Sequence, residues 1–322
     1  MKLSIQNILA LVAVCVVVSL GVVSLASCSD PNVETLGKDA IGNDITVLKE
    51  CAEASNVVVS VNQWESLVKD VLGQCANVKT IAGSDVDPHD YELKPSDIAD
   101  LDNADLVVVN GAGYDEWAVK ALEGNQHAAV LNVAELLSQN QYMNTQDPTK
   151  LEIDNPHLWY SVEAINILVS NLAGEASKLQ GAVKAVTQRM VETSQKVSGV
   201  QNALASESAS LRDKKYAATE SVADYLASTL GLVDLTPAEY KNASANESEP
   251  SIASIDAFEK LLTANEVDFL ILNTQEASSQ TDRLVKAAES AGVKVVDVTE
   301  TLPEGQDDLL NYIKSTAEKF VG

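Results

Sequence analysis

SVEAINILVSNLAGEASKLQGAVKAVTQRMVETSQKVSGVQNALA, residues 161–205, lies at the centre of the chain. Apolar residues at Leu168, Leu172, Leu179, Val183, Val186, Met190, Val197, Val200 and Leu204 recur there at helical spacing, and no proline occurs from His157 to Thr236. The pattern predicts one long helix from about Val162 to about Ala203, roughly 60 Å long at about 1.5 Å per residue. Ser161 suits its N-cap and Glu163 the positive end of its dipole, while Gly174 and Gly181 weaken its interior.

Both flanks read as α/β. Before the helix come the β-branched runs VVVSV (57–61), NVKTI (77–81), DLVVV (105–109) and AAVLN (128–132). After it come KYAA (215–218), VDFLIL (267–272) and VKVVDV (293–298), separated by helical stretches such as 255–263 and 282–291. Short continuous apolar runs between helices suggest buried parallel strands. The expected fold class is therefore α/β: two parallel-sheet lobes, 56–160 and 205–322, joined by one long rigid helix, 161–204. Lobes mounted on such a helix should move little relative to one another.

The 322 residues, 46% hydrophobic, suffice for two buried cores. A net charge of −25, from 22 basic and 47 acidic residues, argues against nucleic acid, which needs clustered Lys and Arg, and favours cations as guests.

The N-terminus reads as a targeting segment: Lys2, a nearly unbroken apolar stretch from Ile8 to Val23, then Leu25-Ala26-Ser27-Cys28. The run is short for a membrane span and fits a cleaved signal, residues 1–27. LASC resembles the bacterial lipobox, whose cysteine becomes the first mature residue and carries lipid. That resemblance implies a lipidated Cys28, a polar tether over 28–55 and a location on the outer face of the cytoplasmic membrane. Cys15 leaves with the signal, so Cys51 and Cys75 remain, either bridged or as two buried thiols. An exported site permits the bridge, and a helix returning antiparallel to strand 57–61 would bring the two together.

Two of the three histidines sit in near-matching frames, DPHDYE (87–92) and NPHLWY (155–160). Imidazole is the commonest side-chain ligand for divalent transition metals, and the preceding proline stiffens each loop. His89 and His157 are thus candidate metal ligands, whereas His127, before AAVLN, reads as a surface residue. Gly111 and Gly113 in NGAGYDEW permit a tight turn, and the lone G-x-G is weak as a phosphate loop. Trp117 and Trp159 either wall the site or pack in the core.

These segments, with TESVADYLASTLGL (219–232), ESEPSIASID (247–256) and VVDVTETLPEG (295–305), carry a resemblance over nearly all of the mature chain. The chain resembles the zinc and manganese group of metal-binding lipoproteins that serve bacterial ABC transporters. The resemblance implies a helical-backbone metal receptor, a monomer, that delivers one Mn2+ or Zn2+ to an ABC permease and its ATPase. It places ligands on His89, His157, Glu220 and Glu300, with Asp297 as the alternative fourth. Two carboxylates tilt preference toward manganese, yet zinc generally outbinds manganese at equal ligands. The competing expectation is an exported metal-dependent hydrolase, and an adhesin role is compatible with the first reading. No HExxH or nucleophile motif supports the hydrolase.

Overall fold

A computed structural model describes residues 33–38, 44–48, 51, 54–84, 86–125, 127–145, 153–176 and 183–321. The signal segment, Cys28 and most of the tether lie outside the described residues. Within the stretch read as a polar tether, β1 (Val33–Lys38) and β2 (Asp44–Leu48) form a two-stranded sheet.

The N-lobe sheet consists of β3 (Ser55–Val61), β4 (Ala76–Ala82), β5 (Leu106–Val109) and β6 (Ala129–Asn132). Its order is β4-β3-β5-β6, parallel throughout. Alternate residues enter different cores: Val57, Val59, Leu106 and Val108 face one, while Val58, Val107 and Val109 face the other with Leu101 and Ala118. Burial on both faces explains why these strands read as continuous apolar runs.

The C-lobe repeats the plan with β7 (Lys215–Ala218), β8 (Val233–Asp234), β9 (Phe269–Asn273) and β10 (Lys294–Val298). Their order is β10-β9-β7-β8, again parallel. Two-residue β8 has no sequence pattern of its own; the backbone bonds Val233 N–H to Lys214 O and Leu235 N–H to Tyr216 O define it.

Helices α1 (Glu65–Leu72), α2 (Pro95–Asp102) and α3 (Glu116–Ala121) connect the N-lobe strands, and α4 (Val133–Thr145) follows β6. The central segment then departs from the expected single rod: it forms α5 (Val162–Ala176) and α6 (Val183–Leu211). These two pack against each other and both pack on α1, which one straight helix could not do with so short a partner. Ser161 does cap α5, its Oγ accepting the Ala164 N–H at 3.3 Å. The connecting helix is α6, 29 residues and about 44 Å long. At one end Arg189 donates to the carbonyls of Val71 and Leu72 in the last turn of α1. Toward the other end it packs on α11 (Leu309–Val321) of the C-lobe, which is completed by α7 (Asp224–Thr229), α8 (Ala238–Ala245), α9 (Ile252–Thr263) and α10 (Ser279–Ala291).

One apolar core runs from Trp64 and Trp159 through Leu168, Val197 and Leu204 to Phe269 and Phe320. The lobes are thereby welded through α6. A disulfide links Cys51, ahead of β3, to Cys75, at the end of the turn between α1 and β4, with Cα atoms 5.1 Å apart.

Candidate metal centre

The functional side chains sit on loops at the C-terminal ends of the parallel strands, where an open α/β sheet presents its crevice. His89 follows β4, Glu220 follows β7 and Glu300 follows β10, while His157 comes from the loop before α5. The two histidine frames fold alike. Asp87 Oδ1 accepts the His89 N–H at 2.9 Å, and Asn155 Oδ1 accepts the His157 N–H at 3.0 Å. Each intervening proline carbonyl is also held: Trp117 Nε1–H donates to Pro88 O, and Asn110 Nδ2–H to Pro156 O. Trp117 thus braces the first loop from behind and packs on Tyr91.

Three side chains converge. One ligand-type atom from each of His157, Glu220 and Glu300 lies within 4.8 Å of the others. His157 Nε2 stands 3.2 Å from Glu300 Oε1 and 3.4 Å from Glu220 Oε1. His89 joins through the same Glu300 oxygen, its Nε2 donating at 3.0 Å, without belonging to the mutually convergent three. Metal–ligand bonds of about 2.1 Å in tetrahedral array require ligand atoms roughly 3.4 Å apart. The two distances from His157, 3.2 and 3.4 Å, match that requirement, and the third pair lies within 4.8 Å.

Of the alternatives for a fourth candidate, Glu300 is buried at the cluster, whereas Asp297 is exposed on β10 and its backbone oxygen accepts from Lys319. His127 is exposed beside Asp105.

Burial favours a neutral His157 ring, but its hydrogen bonds to Glu220 and Glu300 override this and lift its pKa to about 9. The same burial works against the charge of Glu300, and bonds from His157 and His89 outweigh it, holding the carboxyl down at about 2. Desolvation lowers and the Glu300 contact raises His89, with a net upward shift. The site therefore stabilises positive charge at the imidazole Nε2 atoms.

Several supporting residues were not legible in the sequence. Asn155 Oδ1 also accepts from His157 Nδ1–H at 2.7 Å, so the ring presents Nε2 to the carboxylates. Asn273 donates to the second oxygen of Glu220 at 2.7 Å. Gln275 accepts the backbone N–H of Glu300 and Gln63 donates to its carbonyl, which fixes the loop across both lobes. Tyr114 packs edge-on to His89, and Trp159 edge-on to His157, forming an apolar wall. Of these, Asn155 has a visible signal in the repeated frame, and Trp159 has one as the aromatic residue beside the second histidine.

The glycine loop holds no phosphate geometry. The N–H groups of Asn110 and Gly111 donate to the buried carboxylate of Asp115, which also accepts from Ser60. A Cβ on Gly111 would lie 2.1 Å from Asn132 Oδ1, so glycine is required there. In front of the cluster opens a cleft of about 540 Å³, its wall including Asp87, His89, Glu220, Glu247 and Glu276. None of the described lining residues is Lys or Arg. Desolvation and the charges of Glu220 and Glu300 push Glu276 up to about 7.

Among the described residues no helix is long and apolar enough to cross a membrane. Manganese-binding lipoprotein MntA of Halalkalibacterium halodurans is 28% identical over 127 residues, 38% of this chain and 39% of MntA. High-affinity zinc uptake system protein ZnuA of Bacillus subtilis is 23% identical over 269 residues, 80% of this chain and 83% of ZnuA. The matched segments span only 33% and 39% of the first curated relatives' length. In structure, the periplasmic zinc-binding protein TroA of Treponema pallidum superposes with a TM-score of 0.70 at 18% identity, covering 83% of this chain and 98% of TroA. The family described as zinc-uptake complex component A, periplasmic, matches residues 57–322 and so takes in both lobes and every residue of the convergent site: the chain belongs to that family.

Proposed function

We propose that this protein captures one divalent transition metal ion, Mn2+ or Zn2+, outside the cytoplasmic membrane and delivers it to an ABC permease driven by its ATPase. The observation that carries the proposal is the convergence of His157, Glu220 and Glu300 at ligand spacing, with His89 on the same Glu300 oxygen. The ligands are His89, His157, Glu220 and Glu300. Two carboxylates neutralise the charge of the ion in a cleft where, unpaired, they would be costly. The names of relatives divide between manganese and zinc, as the donor set does. The protein acts as a receptor and catalyses no reaction. It is held as a monomer by lipid on Cys28 after removal of residues 1–27, with residues 28–55 as the spacer. In this partition the binding lobes are 56–160 and 205–322, carried on the helical segment 161–204.

The test is elemental analysis of the full-length protein purified in detergent without chelator, followed by competitive manganese and zinc titrations of wild type and His157→Ala. About one equivalent of either metal, lost in the variant, supports the reading and decides the ion. Absence of tight metal from the wild type overturns it.

A further inference from the structure

The two histidine frames differ in one respect. Asn155 orients the His157 ring from within its own frame, accepting both the backbone N–H and Nδ1–H. Asp87, its counterpart, takes the backbone N–H of His89, and the ring Nδ1 is met instead by Glu247 Oε1 at 2.9 Å. Glu247 belongs to the C-lobe, just beyond α8, whereas His89 belongs to the N-lobe. A carboxylate only accepts, so in the metal-free site both ring nitrogens of His89 carry protons, Nδ1 toward Glu247 and Nε2 toward Glu300; a metal ion at Nε2 displaces that proton and leaves Nδ1–H on Glu247.

Packing does not force this contact, since the Glu247 side chain is 65% exposed. Its backbone, however, is held. Glu247 N–H donates to Ser244 O and Ser248 N–H to Ala243 O, closing the end of α8, and Glu247 itself adopts φ 51°. That left-handed position favours glycine or asparagine. A glutamate kept there points to a use for its side chain.

We propose that Glu247 is a positioning residue that reaches across the cleft to orient His89, so that metal capture at Nε2 and the seating of the C-lobe loop 246–250 are coupled. The inference rests on the metal-capture reading and adds a residue that acts only through His89. Residues that fix the outer nitrogen of a ligating imidazole typically contribute 10- to 100-fold in metal affinity.

The test is a double-mutant cycle in the full-length protein: Glu247→Ala, His89→Ala and both, with Glu249→Ala as a charge control lining the same cleft. Affinity for manganese and zinc is read first, then amide hydrogen exchange of residues 246–250 in the metal-free protein. Glu247→Ala should weaken metal by at least about tenfold. It should have no further effect once His89 is alanine, and Glu247→Gln, which keeps an acceptor, should restore most of the loss. Loop exchange should quicken equally in Glu247→Ala and His89→Ala and stay unchanged in Glu249→Ala. Equal losses in Glu247→Ala and Glu249→Ala, or additive losses in the cycle, overturn the proposal in favour of simple charge. If wild type binds no metal, the capture reading fails, while the exchange comparison still decides whether the Glu247–His89 contact orders the loop.

Discussion

Capture of a cation should expel a proton from His157, and the structure sets the size of the effect. The Nε2 atom that would bind metal is the one that donates to Glu220 and Glu300, and this pairing lifts the ring to about 9. A metal ligand must be deprotonated, so metal and proton compete for one lone pair. At about pH 7, two units lower, roughly 1% of metal-free molecules carry a neutral ring. Affinity should then be about 100-fold below its alkaline limit, about 2.7 kcal/mol at 1.36 kcal/mol per unit. Glu300, held at about 2, stays ionised across this range and adds nothing to the slope. His89, also raised, adds in the same direction toward lower pH. Competition against a chromophoric chelator between about pH 6.5 and pH 9 should show affinity rising close to tenfold per unit. Calorimetry in buffers of different ionisation heat should count about one proton released near pH 7.5. A flat affinity profile with no buffer dependence would refute the reasoning, because it would mean that His157 is already neutral or does not bind.

The same pair governs the metal-free fold. His157 titrates higher when folded (about 9) than its ordinary 6.5, so its stabilisation is full below about pH 6.5 and lost as pH rises through about 9. Glu300 is depressed from 4.5 to about 2, so its share is present above about pH 4.5 and lost as pH falls through about 2. Thermal melts of wild type against His157→Gln should differ by up to ~3 kcal/mol at about pH 6 and converge near pH 9. Replacing Arg189 by alanine removes its bonds to the Val71 and Leu72 carbonyls at the end of α1 and should cost about 1–3 kcal/mol in urea unfolding, with little change in metal affinity. Reduction of the Cys51–Cys75 bridge, which closes a separation of 24 residues, should cost about 3 kcal/mol, measured as the drop in denaturant midpoint with a reductant present.

The strands were legible because parallel strands buried on both faces leave continuous apolar runs, as in Leu106–Val109, with all four residues buried. The histidine loops were legible because Asp87-Pro88-His89 and Asn155-Pro156-His157 are local motifs whose first side chain bonds the N–H two residues on. The division of the central segment into α5 and α6 was not, since apolar spacing reports which face of a helix is buried and not its direction. Strand β8 escaped because two residues show no period.

Local chemistry along the chain thus determined two α/β lobes, two stiff imidazole loops and a strongly acidic charge balance. The placement of Glu300 beside the histidines and of Asp297 on an exposed face, the pairing of Glu220 with Asn273 and the reach of Glu247 to His89 came only with the tertiary fold. Glu300 meets its two histidines across 143 and 211 residues of sequence. Over such distances no periodicity or spacing rule acts. What brings the groups together is the shared apolar core that seats both lobes on α6 and aims their strand ends at one cleft.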